Sequence, residues 1–197
     1  MQYIEELLNH LGVQFHCEIL TRPFARMTFQ EGLVHYHPQI GLNRSHLIES
    51  REWLISQLEN IDHSNTSLQM LQFQVFDSID HLIIEPTFIT NHPVQISPLA
   101  QAIEGTEETE RFELFVNGRE LGNGFSQLID LDEQRRRFEM QALNHANDVM
   151  RSDDVYMDSM SHAFPRIGGF GIGIDRLVML LASQNDIRDV VLYPITA

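Results

Sequence analysis

The residues best suited to chemistry are three glycines followed closely by an arginine. Gly169, Gly171 and Gly173 alternate along a predicted strand, so one face of it carries no side chain and a flat ligand could lie against the backbone. Arg176 falls in the first turn of the apolar helix that follows, where free N–H groups and the helix dipole favour an anion. A guanidinium there can hold a phosphate. The segment therefore predicts a nucleotide site.

Two other interpretations of this segment remain. A dinucleotide-binding turn needs a βαβ unit and an acidic residue about 20 positions further on. That offset falls near Tyr193, where the sequence has no acidic residue, so this interpretation fits badly. The plainer alternative is a glycine-rich strand that packs closely against a neighbour, and spacing alone does not separate it from a ligand site.

Two carboxylates flank a predicted hairpin turn upstream of the glycines. An alternating segment containing Glu113 leads into Asn117-Gly118, a strong hairpin turn, and the chain returns through Glu120. Two carboxylates that face one site, together with phosphate oxygens, suit Mg²⁺. The alternative is that both are solvated strand charges, and residue type alone favours that alternative.

The returning strand also predicts a small-molecule pocket. Asn123, Phe125 and Gln127 stand at alternating positions, so they could line one face of the sheet. They would supply an amide, an aromatic wall and a second amide.

Composition restricts the classes of partner. The 197 residues suit one domain, and the net charge of −15 repels phosphate backbones, so binding of DNA or of tRNA by this chain alone is disfavoured. A single cysteine, Cys17, cannot form an internal disulfide, which fits a cytoplasmic protein. No apolar run approaches the roughly 18 residues of a membrane span, and the first residues do not resemble a signal peptide.

Hydrophobic periodicity and turn residues predict the elements that must position these side chains. Helices are predicted over residues 3–11, where Gly12 would end the helix, and over residues 29–35, 45–59, 68–79 and 132–151. Strands are predicted over residues 13–19 and 190–194, in the hairpin around Asn117-Gly118, and in a β-rich segment at 82–90 that proline interrupts.

Three segments carry a family resemblance: EPTFITNHPVQISPLA at 85–100, RFELFVNGRELGNGFS at 111–126, and GFGIGIDR at 169–176, with IRDV following at 187–190. Together they resemble the class II aminoacyl-tRNA synthetases, and the ISPLA and IRDV stretches resemble the lysyl branch of the subgroup that also holds the aspartyl and asparaginyl enzymes. The segment at 169–176 is similar to the third signature motif of the family.

The resemblance implies an α+β fold in which an antiparallel sheet is flanked by helices, the C-terminal part of a class II catalytic core. Residues 1–197 would form a single partial catalytic domain, with 1–80 mostly helical and loosely matching and 81–197 strongly matching. The first and second motifs and the anticodon-binding barrel of the family have no counterpart. A homodimer or a complementing chain is therefore expected.

The resemblance also implies roles for the residues singled out above. ATP and Mg²⁺ would be held by Glu113 and Glu120, and Arg176 would act as a catalytic residue on the γ-phosphate. The remaining matched positions would be the floor of the adenosine site at Gly171 and Gly173 and amino-acid contacts at Asn123 and Phe125. At Gln127 the family has a glutamate that faces the ammonium of lysine, so a charge-assisted hydrogen bond is lost here.

These expectations favour a truncated ligase domain of the lysine–tRNA ligase type, whose reaction joins an amino acid to ATP as an aminoacyl-adenylate. Two alternatives remain. One is a shortened synthetase relative that aminoacylates a protein such as elongation factor P. The other is a catalytically dead relative that binds a ligand or partner.

Overall fold

One mixed sheet organises the chain. The computed structural model describes residues 1–40, 42–58, 66–144, 154–161 and 165–193. Within these ranges five strands lie in the order β1–β2–β3–β4–β5. Their bounds are β1 Ala25–Thr28, β2 Thr87–Thr90, β3 Arg111–Val116, β4 Arg119–Ser126 and β5 Gly168–Ile172. The β1–β2 pair is parallel and the other three pairs are antiparallel. The predicted α+β fold is confirmed, with one parallel pair at an edge of the sheet.

Helices connect and cover the strands. In the described part of the chain they are α1 Gln2–Gln14, α2 Phe29–Tyr36, α3 Arg51–Gln57, α4 Leu68–Ile79, α5 Leu131–Asn144, α6 Asp154–Met160 and α7 Ile174–Leu181. Short 3₁₀ segments lie at Glu18–Thr21, Leu42–Glu49, Asp80–Leu82, Val94–Ile96 and Ile187–Asp189. No helix among the described residues is both long enough and apolar enough to cross a lipid bilayer.

Two hydrophobic clusters cover the two faces of the sheet. One cluster packs α2, α3 and α4 against the face that carries Ile89 and Phe115. The other packs α1 and α7 against the face that carries Phe88, Leu114 and Leu121. Neighbouring strand residues Leu114 and Phe115 therefore point into different clusters, as alternation along a strand requires.

Some sequence predictions are wrong at the level of single elements. Residues 13–19 are not a strand, because α1 continues to Gln14 and a 3₁₀ segment follows at Glu18–Thr21. Gly12 does not end this helix; a Cβ at that position would lie 2.8 Å from Cβ of Leu20, so glycine allows close packing there. Residues 190–193 form a turn and bends rather than a final strand, and position 194 lies outside the described residues.

Other predictions differ mainly in their bounds. Helix α4 agrees with its prediction at both ends. The helix predicted at 45–59 begins only at Arg51, because Ser50 caps it by accepting a hydrogen bond from the backbone N–H of Trp53, 3.3 Å away. The β-rich segment at 82–90 contributes a strand only after Pro86. The helix predicted at 132–151 is observed as α5, and its residues from 145 onward lie outside the described part.

The predicted hairpin is confirmed. Strands β3 and β4 are joined by Asn117-Gly118, whose φ angles of 54° and 71° are those of a two-residue turn that matches the twist of the strands. The turn packs on the 3₁₀ segment Asp80–Leu82, since Gly118 donates a backbone hydrogen bond to Ile83 at 2.9 Å.

Candidate active site

A β-bulge brings the two predicted carboxylates to one face of the sheet. Glu113 pairs with Asn123 and Phe115 pairs with Glu120, so the register shifts between Leu114 and Phe115. Regular alternation would place Glu120 and Asn123, three positions apart, on opposite faces. The extra residue of the bulge returns Glu120 to the face of Asn123, whose amide donates a hydrogen bond to the Glu120 carboxylate at 3.2 Å.

Glu113 lies on this same face, in a buried ion pair. Its residue surface is 8% exposed, and the guanidinium of Arg111 contacts its carboxylate at 2.5 Å. Arg111 is itself fixed, because it donates to the Ile96 carbonyl at 2.8 Å and to the Ser97 hydroxyl at 3.0 Å. Two residues apart on one strand, Arg111 and Glu113 share a face by simple alternation.

The protonation of Glu113 is set by opposing influences. Burial raises the pKa of Glu113 to about 7, the positive charge of Arg111 lowers it, and the negative charge of Glu120 raises it further. His92 lies beside the same carboxylate, 3.9 Å from Nε2 to Oε2. Burial lowers the pKa of His92 to about 3, with Arg111 acting in the same direction, so the imidazole is neutral at ordinary pH. A cation next to Glu113 and Glu120 would relieve their mutual repulsion.

Arg176 ties the first turn of α7 to the hairpin. Gly173 is the N-cap residue of α7, and Arg176 is the third residue of the helix. Its guanidinium donates to the backbone carbonyl of Glu120 at 2.5 Å and lies 3.6 Å from the Glu120 carboxylate. The side chain is nevertheless half exposed, so it keeps N–H groups available to a ligand.

The glycines of β5 leave open space. A Cβ placed on Gly169 or on Gly171 would meet no atom of the described residues within 4 Å. These glycines lie opposite Phe125 and Asn123 on β4, on the face that carries the carboxylates. At Gly173 a Cβ would make only ordinary contact, 3.5 Å from the Leu121 carbonyl. The close-packing interpretation of this segment therefore does not explain why Gly169 and Gly171 are glycines.

Close packing instead explains the glycines of β4. A Cβ on Gly122 would lie 2.3 Å from the carbonyl oxygen of Gly171, and one on Gly124 would lie 2.6 Å from the ring of Phe112. Glycine at these two positions lets β5 and the Phe112 ring approach β4. Glycine in β4 thus allows close contact with neighbouring atoms, whereas glycine in β5 leaves open space over the strand.

Two adjoining cavities lie over this surface. The first, of about 400 Å³, is lined among others by Glu120, Gly173 and Arg176. The second, of about 320 Å³, is lined among others by Phe125, Gln127 and Gly169. Asn123 and Gly171 line both cavities. Of the residues predicted from sequence, only Glu113 lines neither cavity.

Sequence reasoning missed two residues next to this site. Arg111 was detectable, because an arginine two positions before Glu113 on a strand must share its face. Tyr156 of α6 was not, because it meets Gln127 only through the tertiary fold. The Gln127 amide nitrogen donates to the Tyr156 hydroxyl at 2.6 Å. Burial raises the pKa of Tyr156, so its hydroxyl stays protonated at ordinary pH.

The carboxylates present suit a hydrated metal ion better than a protein cage. Among the described residues there is no cluster of three or more histidine, cysteine, aspartate or glutamate side chains that could hold a metal. Mg²⁺ usually takes only one or two protein carboxylates, with waters and phosphate oxygens completing its coordination. Glu113 and Glu120, whose charges repel each other, fit that pattern.

Comparison with known proteins gives the family. The family model for class II tRNA synthetases (D, K and N) matches residues 1–197. A lysine–tRNA ligase of Legionella pneumophila (strain Lens) is 35% identical over 209 residues, which cover 98% of this chain and 42% of that protein. The corresponding ligase of Thiobacillus denitrificans is 37% identical over 212 residues with the same coverage, and that of Hahella chejuensis is 39% identical over 178 residues, 88% of this chain and 35% of that protein. The chain spans about two fifths of the length of these relatives or less. It belongs to the class II tRNA synthetase family that comprises the aspartyl, lysyl and asparaginyl enzymes.

Proposed function

We propose that this chain carries the nucleotide and amino-acid pockets of a ligase of the lysine–tRNA ligase type and binds ATP–Mg²⁺ and an amino acid there. One observation carries the proposal: Arg176 and Glu120 flank a cavity with an open glycine floor, and this cavity adjoins a second one lined by amides. A polyanion with a flat base suits the first cavity, and a small polar molecule suits the second.

The residues of the first cavity bind and orient the nucleotide. Arg176 holds the terminal phosphate through its exposed N–H groups, assisted by the positive end of α7. The missing side chains of Gly171 and Gly173 let the adenosine lie against the backbone. Glu113 and Glu120 are the residues that would hold Mg²⁺, which supplies neutralisation of phosphate charge when bound.

The residues of the second cavity orient the amino acid. Asn123 and Phe125 contact its backbone and the stem of its side chain, and Gln127 meets the end of that side chain. Because Asn123 and Gly171 line both cavities, the two substrates meet at this boundary. The amino-acid carboxylate then attacks the α-phosphorus of ATP, an aminoacyl-adenylate forms and pyrophosphate leaves. Catalysis here is positioning and electrostatic stabilisation.

The activated amino acid is then transferred to an acceptor, which could be a tRNA or a protein. The net charge of −15 disfavours tRNA as a partner of this chain alone, because tRNA binding relies on neutralising phosphates. The same charge favours a second candidate, a ligase that transfers its amino acid to a protein such as elongation factor P. A relative that binds its ligands without turnover is the non-enzymatic alternative.

A partner chain also belongs to the proposal. Strand β5 lies at an edge of the sheet, pairs only with β4 among the described strands, and is largely exposed. An uncovered strand edge is open to pairing with another chain. A second copy of this chain or a complementing chain would cover it.

The test is amino-acid-dependent exchange of pyrophosphate into ATP by the purified chain, with calorimetric titration of ATP–Mg²⁺ beside it. Binding with exchange supports the enzyme. Binding without exchange supports the non-enzymatic alternative, and absence of ATP–Mg²⁺ binding contradicts the proposal.

A further inference from the structure

A third cavity, of about 340 Å³, lies between the segment that follows α1, the β3–β4 hairpin and the C-terminal half of α7. Its base is apolar, because Val116, Leu121 and Met179 line it and are at most 5% exposed. It shares Glu120, Leu121 and Arg176 with the cavity of about 400 Å³, and the rest of its lining belongs to neither cavity of the candidate active site. Its volume is within the range of small-molecule sites, about 300–1,000 Å³.

Four charged side chains line this third cavity: Glu18, Arg119, Glu120 and Arg176. Arg176 lies 3.6 Å from the Glu120 carboxylate, so these two charges compensate each other. Among the described residues, neither Arg119 nor Glu18 forms an ion pair, with each other or with another side chain. One positive and one negative charge therefore line the same cavity without being neutralised.

The guanidinium of Arg119 is held beside the apolar base. It donates a hydrogen bond to the backbone carbonyl of Asn185 at 2.9 Å and lies 3.9 Å from the sulfur of Met179. Neither acceptor carries a full charge, so the positive charge of Arg119 is not neutralised by these contacts. A guanidinium has five N–H groups and these contacts use two, which leaves N–H groups for a carboxylate.

We infer that this cavity binds a small zwitterion with an apolar body, the chemistry of a free amino acid with an apolar side chain. The carboxylate of the ligand meets Arg119, its ammonium meets Glu18, and its apolar body covers the base of the cavity. A ligand with a single charge leaves either Arg119 or Glu18 unmatched, and an uncharged ligand leaves both unmatched. The inference does not depend on the proposed function, because Arg119 and Glu18 line neither cavity of the candidate active site.

The chain contains its own reporter for this cavity. Cys17 is the only cysteine of the sequence, is half-buried, and lines the third cavity but neither of the other two. Its thiol is directed at the carbonyl oxygen of Leu180, 3.9 Å away. A ligand that covers the base restricts access to the thiol, so the rate at which iodoacetamide alkylates Cys17 reports whether this cavity is occupied.

The experiment compares three probes with the same aromatic body: L-phenylalanine, 3-phenylpropionate, which lacks the ammonium, and 2-phenylethylamine, which lacks the carboxylate. Alkylation of Cys17 in the full chain is followed by mass spectrometry at increasing concentrations of each probe. L-phenylalanine is expected to slow alkylation in a saturable manner. Removing either charge from the probe should weaken its affinity about two- to fivefold, the effect of one solvent-exposed ion pair.

Two variants assign the two charges to their partners. Arg119→Gln should abolish the advantage of L-phenylalanine over 2-phenylethylamine and keep its advantage over 3-phenylpropionate. Glu18→Gln should do the reverse. The matched controls are Arg188→Gln and Glu6→Gln, which remove the same charges from exposed residues that do not line the cavity and leave both ratios unchanged.

A structural effect gives a different result from the loss of a charge contact. If Arg119→Gln only loosened the loop after α7, the affinities of all three probes would fall by the same factor, and the inference would be overturned. It would also be overturned if L-phenylalanine did not protect Cys17, or if the three probes protected it equally. Calorimetric titration of the same probes repeats the comparison independently of thiol reactivity. No nucleotide is present in these experiments, so their outcome is independent of ATP–Mg²⁺ binding.

Discussion

Asn123 and Glu120 share a 3.2 Å hydrogen bond between their side chains although they lie three positions apart on one strand. The bulge at the register shift between Leu114 and Phe115 makes this contact possible. Asn123 thereby connects the carboxylate end of the candidate site to the amide-lined cavity.

Arg176→Ala is expected to weaken binding of ATP–Mg²⁺ by about 1.5–3 kcal/mol, the usual range for a hydrogen bond to a charged group. Arg176→Lys keeps the charge but not the bidentate geometry, so its affinity for ATP–Mg²⁺ should lie between those of wild type and Arg176→Ala. Isothermal titration calorimetry measures both. Arg188→Ala is the control, because Arg188 is exposed, pairs with Asp186 and lines neither cavity. Equal affinity of Arg176→Ala and wild type would remove this arginine from the site.

Gly171→Val should lose nucleotide affinity but keep its stability, whereas Gly122→Ala should lose stability. Valine at 171 enters open space, so the free energy of unfolding is maintained while ATP–Mg²⁺ affinity falls at least about tenfold, because the side chain occupies the floor of the cavity. Alanine at 122 would press on the Gly171 carbonyl, and overpacking of this kind costs about 1–3 kcal/mol of stability. Urea denaturation and nucleotide titration of both variants test the contrast. A destabilised but nucleotide-binding Gly171→Val would contradict it.

Gly118→Ala should destabilise the chain more than Gly105→Ala. Both glycines have positive φ, 71° and 77°, so each alanine incurs a similar conformational cost of about 1–2 kcal/mol. At Gly118 the new Cβ would also lie 2.6 Å from the carbonyl oxygen of His81, whereas at Gly105 it would meet no atom of the part of the chain that the structure describes within 4 Å. Chemical denaturation gives the difference between the two variants. Equal losses of stability would mean that a Cβ at position 118 does not clash with the carbonyl oxygen of His81.

The contribution of His37 to stability should fall as the pH falls below 6.5. Burial lowers the pKa of His37, so below 6.5 the unfolded chain binds a proton that the folded chain binds less readily, and unfolding becomes more favourable. Protonation would also displace the hydrogen bond that Nδ1 accepts from the backbone N–H of Gln39 at 3.2 Å. The stability advantage of wild type over His37→Asn, measured by denaturation between pH 5 and 7.5, should shrink toward low pH. Glu113 titrates in both proteins, so its opposing effect cancels in the difference.

The chain alone is expected to form no lysyl-tRNA. Its net charge of −15 opposes the neutralisation of phosphates on which tRNA binding depends. A charging assay with purified tRNA and labelled lysine measures this, and a full-length lysine–tRNA ligase in the same assay confirms that the tRNA is competent. Charging at a rate comparable to that ligase would contradict the prediction.

Local signals allowed the hairpin, α4 and the glycine strand with its following helix to be predicted from the sequence. The turn at Asn117-Gly118 requires positive φ angles that few other residues tolerate. In α4 the apolar residues recur at a spacing that places them on one face of a helix. What could not be predicted depends on contacts between distant segments. Gly12 lies inside α1, where glycine allows Leu20 to pack closely, and Glu120 changes face because of the bulge.

Tyr156 belongs to the same class of unpredictable features. It lies 29 positions from Gln127, and no pattern in the sequence connects the two residues. The geometry brings most of the site residues to two adjoining cavities, and the binding and exchange measurements test the roles predicted for them.

The strand order also has a consequence for how the chain folds. Strands β3 and β4 are joined by two residues, and closing so short a loop costs little entropy. Strand β1 reaches β2 only after the whole segment from α2 to α4 has been enclosed between them. The hairpin that carries Glu113, Glu120 and Asn123 is thus expected to form early, and the parallel edge to join late, since distant pairings are the slow steps of folding. Mutations in β1 should then mainly speed unfolding, whereas mutations in the hairpin should slow folding.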